Sequence, residues 1–298
     1  MATILSGKAV AESITEKTRA RAAELTELGR QPVLLIVRVG EKGNDLSYER
    51  GVTKRAESAG IAVRVKALPE HVTEEEMAEV LREASEDPTV SGILPFLPLP
   101  RHLEERKILA ALAPEKDIDG ATQTSMLGVY AGTGEGFSPC TPEAVIRIID
   151  HYGVELAGKK VTLVGRSPVV GKPLAMLLLS RNATVTICHT RTEKLPEETR
   201  RADLVIVATG HAKTIRAEHV REGQMVLDVG INFDEDGKMC GDAAFDEIEP
   251  IVAAVTPVPG GVGTVTNAVL LSHVVDAAAR AFAKDPSVQS VKFDPCRS

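Results

Sequence analysis

The chain has 298 residues, 43% of them hydrophobic, which is enough for two domains with substantial cores. A formal net charge of −7 and an aromatic content of 3% without tryptophan argue against a nucleic-acid-binding protein. No run approaches the ~18 apolar residues of a membrane span, and no secretory signal is visible. The cysteines lack C-x-x-C spacing and the histidines lack ligand spacing, so we expect a cytoplasmic protein without disulfides or metal: Cys140, Cys188, Cys240 and Cys296.

Helices and buried strands alternate through the first half of the chain. Helices are predicted over 8–28, 44–59, 73–84 and 104–112, and strands over 33–39, 62–68 and 90–94. Thr73 and Glu76 form a capping box for the third helix. Three prolines in 95–100 predict a rigid loop at a strand's carboxyl end, where open α/β sheets bind ligands. A second loop, 117–120, carries two carboxylates.

The second half begins after a glycine-rich stretch, 128–136, which we interpret as a boundary or mobile connector. A helix is predicted from residue 141, then a strand, turn, helix and strand over 159–192, the size of one βαβ unit. Further buried strands are predicted over 202–210, 225–232 and 253–257. The glycine-rich loop 257–263 permits close approach to a ligand, a closing helix spans 267–282, and 284–298 reads as a loose tail.

The turn of the βαβ unit is bracketed by Gly165 and Gly171, with Pro173 at the expected first helical position. Such a turn directs unpaired backbone N–H groups and a helix dipole at one point, which suits a phosphate. The spacing is G-x5-G rather than G-x-G-x-x-G, so an ordinary tight βα turn remains the alternative.

The end of the second strand indicates which dinucleotide the turn would take. An NAD site places a carboxylate there for the ribose 2′-hydroxyl, whereas an NADP site needs cations for the 2′-phosphate. Here Thr190 and Arg191 follow the strand, the first carboxylate is Glu193, and Arg166 stands in the turn. These residues favour NADP over NAD. The alternation of β and α units predicts an α/β fold with parallel sheets in both halves and an active site in the cleft between them.

The motifs resemble the bifunctional methylenetetrahydrofolate dehydrogenase/cyclohydrolase family over nearly the whole chain. The resemblance rests on GRSPVVGKP (165–173), FSPCTP (137–142), PEKDIDG (114–120), LPLP (97–100), DVGIN (228–232) and TPVPGGVG (256–263). It implies a folate-binding catalytic domain over 1–140, completed by 267–298, and a Rossmann-type NADP domain over 141–266. It also implies tetrahydrofolate derivatives as substrates and a homodimer.

The resemblance assigns individual residues. Those matching the family's cofactor site are Gly165, Arg166, Ser167, Gly171, Thr190, Arg191 and Ile231. At the substrate site, the Tyr48 ring would lie against the folate and Asp119 would hydrogen-bond the pterin. The other candidate substrate-binding residues are Val52, Phe96, Leu97, Pro98, Gly260 and Gly261. The catalytic candidates are Tyr48, Asp119 and Lys54.

The sequence departs from the family in the folate half. Val52 stands where Y-x-x-x-K places lysine, and Phe96 stands where glutamine precedes LPLP. The stretch after Gly120 lacks an expected asparagine and holds one extra residue, and Thr264-Val265 replaces the usual Pro-Met. Lys54 lies about 240° around an ideal helix from Tyr48 and should point elsewhere.

These departures bear on one of the two reactions that the resemblance implies. Hydride transfer moves no proton, whereas hydrolysis of the methenyl group needs a base that Val52 and Phe96 cannot supply. We therefore hypothesise an NADP-dependent dehydrogenase whose cyclohydrolase activity is weak or lost. Three alternatives remain: a fully bifunctional enzyme in which Lys54 or Arg55 reaches the site, a non-catalytic NADP-binding paralogue, and an enzyme with a different, more apolar substrate.

Overall fold

A computed structural model describes residues 1–285, so most of the predicted tail, with Cys296, lies outside the described residues. The chain divides into two compact units, Met1–Glu12 with Pro139–Val269 and Ser13–Ser138 with Leu270–Ser298. We call them the six-stranded unit and the three-stranded unit after their sheets. Strands within each of these sheets are parallel, which confirms the predicted two-domain α/β fold.

Strands and α-helices alternate along most of the described chain. The strands are β1 (Thr3–Ile4), β2 (Val33–Val39), β3 (Ala62–Leu68), β4 (Gly92–Pro95), β5 (Lys160–Val164), β6 (Thr184–Cys188), β7 (Leu204–Val207), β8 (Met225–Asp228), β9 (Asn232–Phe233), β10 (Met239–Cys240) and β11 (Ala254–Val255). The helices are α1 (Gly7–Glu27), α2 (Gly43–Ser58), α3 (Glu74–Glu86), α4 (Glu105–Leu109), α5 (Gln123–Ala131), α6 (Cys140–His151), α7 (Gly171–Ser180), α8 (Leu195–Arg200), α9 (Phe245–Ile248) and α10 (Val262–Lys284). The alternation is interrupted where α4 to α6 and β7 to β10 follow one another.

The six-stranded unit is built on strands in the order β1-β11-β8-β7-β5-β6. Its central strands are aliphatic runs, and Leu163, Val205 and Ile206 are fully buried, as expected of parallel strands covered on both faces. From β5 the chain passes first to β6 on one side and then to β7 on the other. This reversal between β5 and β7 is the topological switch point, outside whose carboxyl ends doubly wound sheets bind ligands.

The three-stranded unit has the order β3-β2-β4, with the chain reversing between β2 and β4. The sheet is extended by a parallel bridge from Ile93 to Asp117. Phe96, just beyond β4, donates its backbone N–H to Val37 O at 2.9 Å, which holds the following loop at the carboxyl end of β2. The predicted capping box of Thr73 and Glu76 is present at α3.

The N-terminus lies in a different unit from the one predicted. We expected residues 1–140 to belong to one domain, but Met1–Glu12 belongs to the six-stranded unit, where β1 pairs in parallel with β11. Gly7 then donates its N–H to Gly260 O at 2.8 Å. A two-residue strand has too few positions to show a period, and its partner lies at the far end of the chain. The sequence pattern therefore gives no sign of this pairing.

The glycine-rich stretch 128–136 is not a mobile connector throughout. Helix α5 runs through Gly128 to Ala131, begins at a Thr122 side-chain cap, and ends at Gly132 with φ of 68°. A Cβ on Gly128 would lie 2.1 Å from Glu135 O, so glycine is required there by close packing. A glycine needed for packing inside a helix has the same sequence signature as one needed for a turn.

The closing helix α10 begins at Val262 rather than at residue 267, so part of the glycine-rich loop is helical. By length and composition alone, α10 is long and apolar enough to cross a membrane. However, 67% of its apolar window is buried inside the protein, as in a core helix of a globular domain.

Candidate active site

The turn between β5 and α7 lies at the switch point of the six-stranded sheet. Gly165 has φ of 131°, and a Cβ there would lie 2.2 Å from Ala208 O, just beyond β7. A Cβ on Gly171 would lie 2.5 Å from Gly165 O. Both positions therefore need glycine, because the backbone segments cross too closely for a side chain. The crevice is lined by backbone at this point, as a dinucleotide site requires.

The N-terminal N–H groups of α7 are not free for a phosphate, contrary to the prediction. Ser167 Oγ accepts the N–H groups of Val170 and Gly171 at 3.0 and 3.3 Å, and Ser167 O accepts that of Lys172 at 3.0 Å. Pro173 is the third residue of α7 rather than the first, a position that still lacks an intrahelical partner for an N–H. Ser167 therefore caps the helix, while its hydroxyl hydrogen remains able to donate to an anion.

The end of β6 presents cationic and hydroxyl groups to solvent. His189 N donates to Thr192 Oγ1 at 2.8 Å, and Arg191 N donates to His189 Nδ1 at 3.1 Å. The ring of His189 therefore shapes the turn, and Thr190 and Arg191 are left exposed. Arg166 in the neighbouring turn is exposed as well. This set of donors fits a 2′-phosphate better than a 2′-hydroxyl.

Two buried carboxylates organise the loop that carries Ile231. Asp228 accepts backbone N–H groups from Gly230, Asp242 and Ala243 at 2.9, 3.0 and 2.8 Å. Asp242 in turn accepts the amide of Asn232 at 2.8 Å. The residues on both sides of Ile231 are thus held by carboxylates, and the exposed Ile231 side chain is fixed between them. The DVGIN motif could be recognised in the sequence, but nothing there indicates that Asp242 belongs to the same cluster.

Asp228 should make folding stability depend on pH. Burial, opposed by its backbone hydrogen bonds and assisted by Asp242, raises the pKa of Asp228 from 3.8 to about 7. Because the native state then holds this proton more tightly than the unfolded chain does, the stabilisation is complete below pH ~4 and is lost as pH rises through ~7. We expect Asp228 to lower the free energy of unfolding by up to about 4 kcal/mol across that window.

Urea unfolding of the wild type and of Asp228→Asn at pH 4, 5, 6 and 7 gives the free energy of unfolding at each pH. The difference between the two proteins in the slope of that free energy against pH measures the contribution of Asp228. The slope, not the absolute stability, is the readout, since asparagine also changes the hydrogen bonds. Asp246→Asn is the control, because Asp246 and Asp228 line the same cavity of about 220 Å³. Identical pH slopes for the wild type and Asp228→Asn would contradict the prediction.

The loop at residues 257–263 is constrained as tightly as the cofactor turn. A Cβ on Gly261 would lie 2.4 Å from Pro257 O, and Gly260 has φ of 98°. A Cβ on Gly263 would lie 3.1 Å from Ile231 Cδ1, so this loop borders the Ile231 loop. The predicted residues Gly260, Gly261 and Ile231 therefore belong to one surface of the six-stranded unit.

In the three-stranded unit, Tyr48 of α2 packs against Phe96 of the loop after β4. Their ring centroids are 5.2 Å apart and the ring planes are inclined by 52°. Phe96 is buried, whereas Tyr48 remains 45% exposed, and Leu97 and Pro98 follow on the exposed loop. The structure brings these four predicted residues together at the carboxyl ends of β2 and β4, where a ligand is expected.

The structure separates Lys54 from this group. Val52 lies one turn after Tyr48 and is only 1% exposed, so the position of the family lysine is occupied by a core side chain. Lys54 and Arg55 are exposed on the same regular helix. Lys54 therefore lies on a different face of α2 from Tyr48, about 240° around the axis.

The two aspartates of D-I-D-G have different environments. Asp117 is fully buried and accepts hydrogen bonds from Ala121 N, Thr122 N and Ser125 Oγ at 3.0, 2.8 and 2.7 Å, so it shapes the turn. Asp119, two residues on, is partly exposed. It is thus the member of the pair whose carboxylate a ligand can approach.

A separate cavity of about 680 Å³ lies at the amino-terminal ends of β2 and β4. Two of its basic side chains already have partners. Lys116 Nζ donates to Ala84 O and Asp87 O at 3.2 and 2.6 Å, and the Arg280 guanidinium lies 4.3 Å from the Phe137 ring centroid. Because parallel sheets bind ligands at the opposite edge, we do not assign the active site to this cavity.

Comparison with known proteins shows which family this arrangement belongs to. Residues 5–119 match the catalytic domain of tetrahydrofolate dehydrogenase/cyclohydrolase, and residues 139–282 match its NAD(P)-binding domain. The chain belongs to the tetrahydrofolate dehydrogenase/cyclohydrolase family. The bifunctional protein FolD of Clostridioides difficile is 48% identical over 274 residues, which cover 92% of this chain and 96% of that protein.

Solved structures of the family agree with the fold. The bifunctional enzyme FolD of Campylobacter jejuni superposes with a TM-score of 0.91 at 38% identity, covering 94% of this chain and 99% of that one. The Trypanosoma brucei methylenetetrahydrofolate dehydrogenase-cyclohydrolase, complexed with NADP and an inhibitor, gives 0.86 at 32% identity, covering 94% and 98%. The family drawn from the sequence motifs is therefore confirmed, and the expectation of NADP is supported.

Proposed function

We propose that this protein oxidises 5,10-methylenetetrahydrofolate to 5,10-methenyltetrahydrofolate with NADP, and that its cyclohydrolase activity is weak or lost. The observation that carries the proposal is a contrast between the two units. The six-stranded unit has a complete dinucleotide turn, whereas in the three-stranded unit valine and phenylalanine stand at the family's lysine and glutamine positions.

NADP fits the six-stranded unit because the close-packed glycines leave room for it and the exposed cations match its charge. Gly165 and Gly171 would line its pyrophosphate, with the Ser167 hydroxyl as a donor. Arg166, Thr190 and Arg191 would hold the 2′-phosphate, and Ile231 would pack against the nicotinamide. When bound, NADP supplies the hydride acceptor.

The folate would be bound by the residues gathered around Tyr48 in the three-stranded unit. The Tyr48 ring, backed by Phe96, offers a flat surface for the substrate, and Leu97 and Pro98 add apolar contacts. The Asp119 carboxylate would accept hydrogen bonds from the pterin. The family resemblance also assigns the backbone of Gly260 and Gly261 to the substrate site.

Oxidation at the methylene carbon makes few chemical demands on these side chains. Loss of a hydride leaves a methenyl cation that the adjacent nitrogen lone pair stabilises, and no proton moves. The protein therefore has to hold the two reactants about 3–3.5 Å apart and to exclude water. The rings of Tyr48 and Phe96, the glycines of the two loops and the Asp119 carboxylate would position the two reactants in this way.

Hydrolysis of the methenyl group makes different demands. The attacking water must lose a proton and the departing nitrogen must gain one, which calls for a positioned acid or base. Val52 is buried and cannot titrate, and Phe96 cannot donate or accept a hydrogen bond. The fully bifunctional alternative needs Lys54 or Arg55 to reach the folate from an exposed face of α2. A Lys54→Met variant that lost hydrolysis but kept oxidation would favour that alternative.

The proposal is tested with purified protein and two spectrophotometric assays. We expect methylenetetrahydrofolate to reduce NADP, with a kcat/KM that is at least ~10-fold higher than with NAD, since a tenfold ratio needs only about 1.4 kcal/mol. Methenyltetrahydrofolate should be hydrolysed at a rate close to the uncatalysed one. Hydrolysis at a rate comparable to oxidation would refute the proposed loss.

The same assays distinguish the remaining alternatives. Binding of NADP without any reduction would indicate a non-catalytic paralogue, and a folate that fails to bind would indicate a different substrate. A homodimer in the cytoplasm, without nucleic acid or membrane as partner, completes the proposal on the basis of the family resemblance. Light scattering at micromolar concentration would show a mass near twice that of the chain if the dimer forms.

A further inference from the structure

A buried ion pair links β2 to α2 in the three-stranded unit, one residue away from Tyr48. Arg38 Nε donates to Glu49 Oε2 at 2.6 Å, and Arg38 Nη1 donates to Gly40 O. The two side chains are only 10% and 18% exposed. Both partners are therefore largely withdrawn from water, unlike the surface pairs on the same unit.

The position of this pair on α2 gives it a specific geometric role. The buried residues of α2 are Val52 and Ala56, in its second half, and the N-cap residue Lys42 makes no side-chain capping bond. In the first half, the Glu49 side chain is fastened to β2 through Arg38. It directly follows Tyr48 and lies three residues before Val52, so it shares the helix face of Val52.

Stability alone does not account for such a pair. The desolvation penalty of two buried charges offsets most of their attraction, and apolar residues of similar volume often serve stability equally well. The pair also constrains geometry. The Arg38 guanidinium is bonded to both the Glu49 carboxylate and the Gly40 carbonyl, and these directional bonds fix the rotation of α2 about its own axis. The first residue whose orientation depends on that rotation is Tyr48.

We infer that the Arg38–Glu49 pair is a positioning device for Tyr48: it sets the rotation of α2 on β2 so that the tyrosine ring lies against Phe96. Neither residue touches the reacting atoms, and both act through Tyr48. The consequence for folate binding rests on the proposed function, whereas the consequence for the Tyr48 ring does not.

The chain allows the ring to be observed directly. It contains three tyrosines and no tryptophan, so incorporation of 3-fluorotyrosine gives three ¹⁹F resonances, for Tyr48, Tyr130 and Tyr152. The Tyr48 resonance is assigned with Tyr48→Phe. In the double variant Arg38→Met/Glu49→Met, which leaves no unpaired buried charge, we expect that resonance to shift or broaden while the other two stay unchanged.

A matched control is available on the same sheet. Arg64 and Asp87 form an exposed pair with a 3.4 Å separation and side chains that are 50% and 37% exposed, so Arg64→Met should leave all three resonances in place. If the double variant fails to fold, Glu49→Gln, which keeps an acceptor for Arg38, replaces it. Its Tyr48 resonance should move in the same direction by less.

Kinetics provide the second readout. The KM for methylenetetrahydrofolate should rise about 10-fold in the double variant, equivalent to about 1.4 kcal/mol of binding, with the KM for NADP within about 2-fold of the wild type. An unchanged Tyr48 resonance in a folded double variant would overturn the inference. A moved Tyr48 resonance in a protein whose wild type does not oxidise the folate would retain the inference and reject the proposed function.

Discussion

The double variant Val52→Lys/Phe96→Gln should hydrolyse methenyltetrahydrofolate ~10²- to 10⁴-fold faster than the wild type, the usual contribution of a positioned acid or base. Position 52 lies one helical turn after Tyr48, and the family resemblance assigns a lysine to it. The amide at position 96 would orient that amine. Oxidation should change much less, because hydride transfer requires no proton acceptor.

The lysine that should speed up hydrolysis also replaces a core side chain, so the experiment must separate its effect on folding from its effect on catalysis. Val52 is 1% exposed, so a lysine there must bury its stem and direct its amine towards the folate pocket. Val52→Met/Phe96→Gln is the matched control, since methionine has a long side chain without the amine. Hydrolysis should rise in the lysine variant alone, and equal rates for both variants would count against the proposed base position.

The variant Arg166→Ala/Arg191→Ala should bind NADP ~10²- to 10⁴-fold more weakly, because each hydrogen bond to a charged group contributes about 1.5–3 kcal/mol. Binding of NAD, which lacks the 2′-phosphate, should change much less. Calorimetric titration with both dinucleotides measures the two effects separately. The prediction concerns the ratio of the two affinities, which a general loss of folding would not alter selectively.

Arg201→Ala is the control for removal of a surface cation. Arg201 is exposed and pairs with Glu198 at 3.1 Å within the α8 region, away from the β5–α7 turn. It should leave both affinities within about 2-fold of the wild type, as expected for a surface ion pair. Equal losses for NADP and NAD in the double variant would show that the two arginines do not recognise the 2′-phosphate.

Local signals made much of this fold predictable. The βαβ unit at 159–192 could be recognised because a buried strand, two glycines and an apolar helix follow each other within a short span. Thr73 and Glu76 marked a helix start for the same reason. Each of these features is decided by neighbours in the sequence, and the family motifs added the identity of the site residues.

The features that escaped prediction depend on the three-dimensional geometry of a turn or on contacts between residues that are distant in the sequence. The turn after β5 was predicted to direct unpaired backbone N–H groups at a phosphate, but the Ser167 hydroxyl accepts two of them, and only the turn geometry reveals that. Asp242 and Asp228 form one cluster although loops and a hairpin separate them in sequence. The outward orientation of Lys54 could be predicted from its offset around α2, whereas the burial of Val52 depends on which face of the helix packs into the core.

The pairing of β1 with β11 has a consequence for how this protein is made. Thr3 and Ile4 complete a sheet with Ala254 and Val255, which are synthesised about 250 residues later. The three-stranded unit likewise recruits residues from Leu270 onwards. Neither unit can therefore form its full set of contacts until these later residues have been synthesised. A fragment ending at residue 138 would contain β1 without its partner strand β11, and it would lack part of the core of the three-stranded unit.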